Sequence, residues 1–290
     1  MTLSVVIMLA LPFSPQPARA EDSMIWALTP LPPAMIEKDG KIVGYGVDIL
    51  DWFIARMPAI THTKEIVPLA RLMQKMTMPG TVCNIGLVPT PERRQFLIFS
   101  KAVLPHLPVA LITRADKIAD LGPFRDDNGN IKLADLLASG RFHGAVRTSR
   151  SYGPAIDPIL QQFAGTPVLE QVGNDAHFLS MIELGREEWT LYFPAEAEYY
   201  RRNSAPELEF ISSPIAGNSD PLPASISCTR TTMGAMIIQK IDAIVATAPD
   251  MPWTDFYARS LSKSDQRWFE KAQEQFVANS VDFPLNSADQ

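Results

Sequence analysis

The stretch Val82-Cys83-Asn84-Ile85-Gly86-Leu87-Val88, running through Pro89 into Thr90-Pro91-Glu92-Arg93-Arg94-Gln95-Phe96-Leu97-Ile98-Phe99-Ser100, decides how the chain is read. An apolar run of strand length ends in a proline-rich turn, a guanidinium follows at the turn, and an aromatic-Ser pair closes the next extended segment. Arginine suits a carboxylate at such a place, because its planar fork donates two parallel hydrogen bonds and does not lose its charge. By itself the Thr-x-x-Arg spacing fits an ordinary solvated surface charge equally well. The neighbouring segments separate the two readings.

Upstream, residues 24–28 read as a buried strand ended by the stiff turn Thr29-Pro30-Leu31-Pro32-Pro33. Lys38-Asp39-Gly40-Lys41 is a hairpin turn, and residues 47–57 carry apolar side chains at helical spacing up to Pro58. Residues 60–67 alternate as a second strand, 69–78 form a short helix stopped by Pro79-Gly80, and 81–88 form a third strand. Strands alternating with helices predict a parallel sheet with right-handed crossovers. Ligands of such sheets sit beyond the carboxyl ends of the strands, so the turns at 29–33 and 89–93 belong at one rim. Downstream, 107–113 is an extended crossing segment and the alternation then repeats. A helix over 133–139 precedes a strand over 142–146 that runs into Arg147-Thr148-Ser149-Arg150; helices over 155–163 and 176–184 and a strand over 189–193 follow. Hydroxyl residues at a strand-to-helix turn suit a cap and an anion site. A Pro/Gly/Ser-rich return over 215–223 leads to a strand over 225–228, a helix over 234–246 and a charged amphipathic tail.

With 290 residues, 46% apolar and 20% charged, the chain has the composition of an ordinary globular protein. Its net charge of -6 argues against nucleic acid as a partner, and no basic cluster is denser than Arg93-Arg94 or Arg201-Arg202. Residues 3–11 are an apolar run of signal-peptide length, and Ala18-Arg19-Ala20 supplies small residues for cleavage. Residues 1–20 are therefore expected to be an export signal. A bilayer span needs about 20 apolar residues, so no stable membrane insertion is expected. Cys83 and Cys228 sit in separate strand-like runs. In an oxidising compartment they either bond, tying the first third of the chain to its last quarter, or remain two buried thiols.

Taken in order, Gly44-Tyr45-Gly46-Val47-Asp48-Ile49, Thr90-x-x-Arg93 with Phe99-Ser100, Gly144-Ala145-Val146 running into Thr148-Ser149-Arg150, Gly185-Arg186 before a strand, and the late strand-helix pair carry a family likeness. The chain resembles the family 3 extracellular solute-binding proteins, the periplasmic receptors of polar amino acid uptake, over nearly its whole mature length. The resemblance implies an α/β fold of the two-lobed, type II periplasmic binding protein kind. Each lobe would be a mainly parallel sheet flanked by helices, and two crossing strands would join them. Lobe 1 would be residues 21–105 with 222–290 and lobe 2 residues 106–221, a return path that a Cys83–Cys228 bond also fits.

By position, Arg93 would match the carboxylate-binding arginine, with Thr90 and Val88 along the adjoining rim. Ser149 and Arg150 would present backbone N–H groups, and the Ser149 hydroxyl, from lobe 2; Trp26 and Tyr192 are candidate stacking groups. The resemblance further implies a monomeric periplasmic protein, needing no cofactor, that closes on a small carboxylate-bearing ligand for an ABC permease or for sensing. That ligand would be amino-acid-like or another organic acid. Amino-acid-binding members usually place an Asp a few residues past Gly-Arg for the ligand's amino group. Here the strand reads Leu191-Tyr192-Phe193-Pro194, leaving Glu187, Glu188 and Glu196 as substitutes and the ligand's class open.

Other readings fit some of the same residues. Trp26, Trp52 and Trp189 suit core packing. His62, His106, His143 and His177 lack metal-ligand spacing, so no metal is expected. No nucleophile elbow, phosphate loop or His-Glu-x-x-His helix is present, and no enzymatic activity is expected. The alternatives are a dehydratase-like enzyme on the same scaffold, with Glu188 and Glu196 as general acid and base, and an accessory protein with a degenerate cleft.

Overall fold

The structure is a computed structural model that describes residues 23–148, 150–173 and 178–280. The expected export signal at 1–20, Ser149, and the first two residues of the helix expected over 176–184 lie outside the described residues.

The apolar run at the start of the described chain becomes β1 (Ser23–Leu28), flanked in parallel by β4 (Thr61–Ile66) and β5 (Val82–Ile85). Because both faces of β1 are covered, its side chains alternate between two cores rather than between core and solvent. Met24, Trp26 and Leu28 point to one, and Ala27 to the other. Between β1 and β5 lie the hairpin of β2 (Ile36–Lys38) and β3 (Lys41–Val43), then α1 (Tyr45–Ile54) and α2 (Leu69–Met76). The hairpin turns through Asp39 and Gly40 at φ 52° and 71°, the left-handed pair that a two-residue turn requires.

β6 (Leu97–His106) and β12 (Leu222–Thr229) complete the first sheet in the order β4-β1-β5-β12-β6, with β12 antiparallel to both neighbours. The sequence predicts a strand over 225–228 only, with Pro223 in the return connection before it. In the structure Pro223 sits opposite Pro105, so two residues without an N–H share one rung and neither leaves a donor unpaired. The same register puts Cys228 opposite Cys83, and the two form a disulfide. That settles the alternative left by the sequence. The bridge spans 145 residues, and restricting that loop in the unfolded chain contributes about 4 to 5 kcal/mol.

The second sheet has the order β11-β7-β10-β8-β9, built from β7 (Ala110–Arg114), β8 (Gly144–Arg147), β9 (Leu169–Val172), β10 (Trp189–Tyr192) and β11 (Phe210–Ser213). β8, β9 and β10 are parallel, and β7 runs against β10 and β11. α4 (Leu133–Ala138), α5 (Asp157–Gln162), α6 (Phe178–Glu183) and α7 (Pro194–Ser204) connect and cover these strands. α7 is not legible in the sequence, because Glu-Tyr-Tyr-Arg-Arg hides its narrow buried stripe. Pro194 at its first position, with φ already set for a helix, was the available cue. The chain passes between the sheets twice, from β6 to β7 through 107–109 and from β11 back to β12 through 214–221. α8 (Thr232–Thr247), α9 (Asp255–Ala258) and α10 (Lys263–Ser280) then close onto the first sheet, where Ile237, Trp253, Tyr257 and Phe269 join Trp26 and Phe53 in one core. Among the described residues no helix is long and apolar enough to cross a membrane.

Candidate functional site

Beyond β5 the chain turns at Gly86, φ 106°, buries Leu87 and exposes Val88. A short helix, α3 (Pro91–Arg94), follows, opened by Thr90, whose Oγ1 accepts from the Arg93 backbone N–H at 3.3 Å. The Arg93 guanidinium folds back over the turn and donates from Nη1 to the Val88 carbonyl at 2.8 Å. Among the described residues, no carboxylate lies within ion-pair distance of Arg93. Arg94 points elsewhere, over the Phe99 ring at 5.5 Å, and its carbonyl accepts two bonds from Arg230. The Glu92 carboxyl is held below the usual range by its own backbone N–H and then by the Thr90 hydroxyl.

Lobe 2 presents a different arrangement. After β8, the Tyr152 hydroxyl accepts from Arg147 N at 2.8 Å, and Asp157 accepts from Ser151 Oγ and Tyr152 N, fixing the turn in place. The Arg150 guanidinium is bonded by both ends to Glu196, Nη1 to Oε1 at 3.0 Å and Nη2 to Oε2 at 2.7 Å, and the two side chains are only 16% and 11% exposed. Arg150 also lies over the Tyr152 and Phe193 rings, at 5.3 and 5.8 Å. Glu196 Oε2 accepts in addition from Phe193 N at 3.4 Å, at the start of α7.

The lobes meet at the hinge end. Phe193 sets its edge on His106, the last residue of β6, with ring centres 5.0 Å apart. His106 Nδ1 faces the Leu107 carbonyl at 2.7 Å, which can only accept, so the neutral ring takes the Tyr45 hydroxyl proton at Nε2, 3.1 Å away. Burial pushes the His106 pKa down to about 4, against the Leu107 bond that raises it, so the ring stays neutral at physiological pH. Burial and then the Glu196 charge push the Tyr45 phenol upward. Ala195 at the start of α7 reaches into the first lobe's core, and Ser212 of β11 donates to Asp265 of α10 at 3.1 Å.

The expected site residues therefore part company. Arg93, Thr90 and Val88 lie together on one turn; Arg150 stands on the second lobe with its charge matched internally. Two expectations need correction. Trp26 is fully buried in the first core and its Nε1 donates to His62 Nδ1 at 3.0 Å; Tyr192 is fully buried in the second, against Phe178 and Tyr200. Neither has a face to offer a ligand, because both sit inside strands covered on both sides. Glu187 and Glu188 precede β10, at the end opposite Phe193. Glu188 binds His143 N, and burial and then its neighbour Glu170 push the Glu187 carboxyl up to about 7. The pair Glu188 and Glu196, singled out for acid-base chemistry, thus stands at opposite ends of one strand. Glu196 proved to be an internal partner, which its sequence position could not reveal. Among the described residues, no group of three His, Cys, Asp or Glu side chains could hold a metal ion.

No family model matches the sequence, and no curated protein matches it. Solved structures do match in three dimensions. The second substrate-binding domain of Lactococcus lactis GlnP, in an open conformation, superimposes with TM-score 0.60 at 12% identity, covering 84% of this chain and 97% of that one. An ancestral cationic amino acid solute-binding protein gives TM-score 0.59 at 14% identity, over 83% and 96%. The L-cystine solute receptor of Neisseria gonorrhoeae, unliganded and open, gives TM-score 0.55 at 16% identity, over 81% and 93%. Identities this low speak for the fold alone. The chain has the two-lobed, type II α/β fold of these solute-binding proteins.

Proposed function

We propose that this chain is an exported solute-binding protein of the family 3 type, which encloses a small carboxylate-bearing ligand between its lobes and presents it to an ABC permease or a sensor. Lobe 1 is then 21–105 with 222–290 and lobe 2 is 106–221, a division supported by the two sheets and the two crossings between them. The observation that carries the reading is Arg93. It projects from the carboxyl end of β5, is anchored by one donor to its own turn, and has no carboxylate partner among the described residues. A guanidinium in that state has donors left for a ligand's carboxylate. The shared fold of solute-binding structures supports the receptor reading.

A ligand that touches both lobes stabilises the closed form by its differential affinity, and needs no covalent step. Thermal unfolding in the presence of a carboxylate panel tests this. At about 100 times Kd a bound ligand adds about 2.7 kcal/mol of stability. X-ray scattering of the same mixture should record a smaller radius of gyration. A panel of carboxylates that leaves both quantities unchanged counts against the proposal.

A further inference from the structure

Three parallel strands end side by side in the first lobe, and each exposes a large apolar side chain three residues past its end. Leu31 follows Leu28 of β1, Leu69 follows Ile66 of β4, and Val88 follows Ile85 of β5. They are 55%, 50% and 57% exposed, in a molecule whose other large hydrophobics are mostly buried. Single exposed leucines mean little, but three at successive strand ends form a row. Neighbouring strands are about 4.8 Å apart, so the three strand ends from which these residues follow span about 10 Å, the length of a small organic acid. Arg93 stands at the β5 end of this row, and the Thr29 hydroxyl, just past β1, is buried without a partner.

Among the described residues, the second-lobe turn that bears Arg150 offers little to a positive group: Glu196 has both oxygens on Arg150, Asp157 accepts from Ser151 Oγ and Tyr152 N, and the Phe193 ring lies beside the Arg150 guanidinium. Glu37 and Glu92, on the segments that follow Leu31 and Val88, are exposed surface charges, which hold a cation weakly, and Glu65 of β4 is paired with Lys75. Cation, hydroxyl and apolar row together describe one chemistry. We infer that the ligand is an apolar carboxylate without an ammonium group, an aliphatic or arylalkanoic acid whose carboxylate meets Arg93 and whose body lies along Val88, Leu31 and Leu69. This inference rests on the receptor reading above and narrows its ligand class.

Matched pairs test it: 3-phenylpropanoate against L-phenylalanine, and hexanoate against L-norleucine, titrated calorimetrically into the full exported chain. The deaminated acid of a pair should bind at least about tenfold more tightly, because among the described residues the ammonium has no desolvated partner. Arg93→Ala should weaken it by about 10- to 100-fold, the worth of a charge-assisted hydrogen bond. Val88→Asp and Leu31→Asp, both at exposed positions, should weaken it while leaving the unfolding midpoint in place. An amino acid that binds as tightly as its deaminated partner overturns the inference and leaves the receptor reading standing. If neither these pairs nor the wider carboxylate panel binds, both fall together.

Discussion

Each lobe carries an arginine at the turn past one of its strands, and the two differ in what already holds them. Arg150 is bonded at both ends to a buried glutamate on its own lobe. Arg93 is bonded to a backbone carbonyl of its own turn. The first charge is neutralised inside the fold and works as architecture, joining the turn after β8 to the start of α7. The second has one donor on the carbonyl of the exposed Val88 and no carboxylate partner among the described residues. Residue type alone would have ranked the two together; their partners separate them.

Four substitutions probe that contrast, in order of expected effect. The largest concerns the platform under Arg93, because β5 is locked to β12 by the disulfide. The double variant Cys83→Ala/Cys228→Ala should lose about 4 kcal/mol in urea unfolding. A loss well under 1 kcal/mol would mean that the platform does not depend on the bridge.

Next, Glu196→Ala removes both bonds that Glu196 makes to the buried Arg150 guanidinium, and should cost about 3 kcal/mol. Replacing both partners, Arg150→Met/Glu196→Leu, should recover most of that, since apolar groups of similar volume can fill the same space. If the single and double variants are equally unstable, Arg150 is not the internal structural partner described here.

The seam where α10 meets β11 gives a pH signature. Burial raises the Asp265 pKa to about 6, against hydrogen bonds from Ser262 and Ser212 that lower it. The folded protein therefore binds a proton that the unfolded chain has already released between about pH 4 and pH 6, and stability falls as pH rises through that window. The expected loss is about 3 kcal/mol. Unfolding midpoints measured across the range should flatten in Asp265→Asn; an unchanged slope would assign the effect to another group.

The smallest effect is expected at Arg93 itself. Arg93→Ala removes one bond to a solvated carbonyl and should alter stability by no more than about 0.5 kcal/mol. Set beside Glu196→Ala, this divides the two turns: one variant damages the fold, the other leaves it intact.

Much of the scaffold was legible in the sequence. The apolar runs at β1 and β5, the helical spacing of α1 and the turns between them define a parallel sheet, and the Thr90 to Ser100 stretch marks its rim. The disulfide needed the register of β5 against β12, which depends on a chain return 145 residues long. Trp26 and Tyr192 misled because an aromatic in a strand looks the same whether its strand lies at a rim or between two covered faces. The Arg150–Glu196 pair was invisible for a related reason: its partners lie on different elements, brought together only when α7 packs beside the turn after β8. The apolar row had a signal, since Leu31, Leu69 and Val88 share one offset from three strand ends. Reading it required the strand ends, which the sequence placed only to within a few residues.

The central claim is that Arg93 is the ligand-facing cation of the cleft. The direct test is calorimetric titration of Arg93→Ala with whichever carboxylate stabilises the wild-type chain, alongside its unfolding midpoint. The account expects affinity to fall by about tenfold or more while the midpoint stays in place. An Arg93→Ala chain that binds the same carboxylate as tightly as wild type would contradict it.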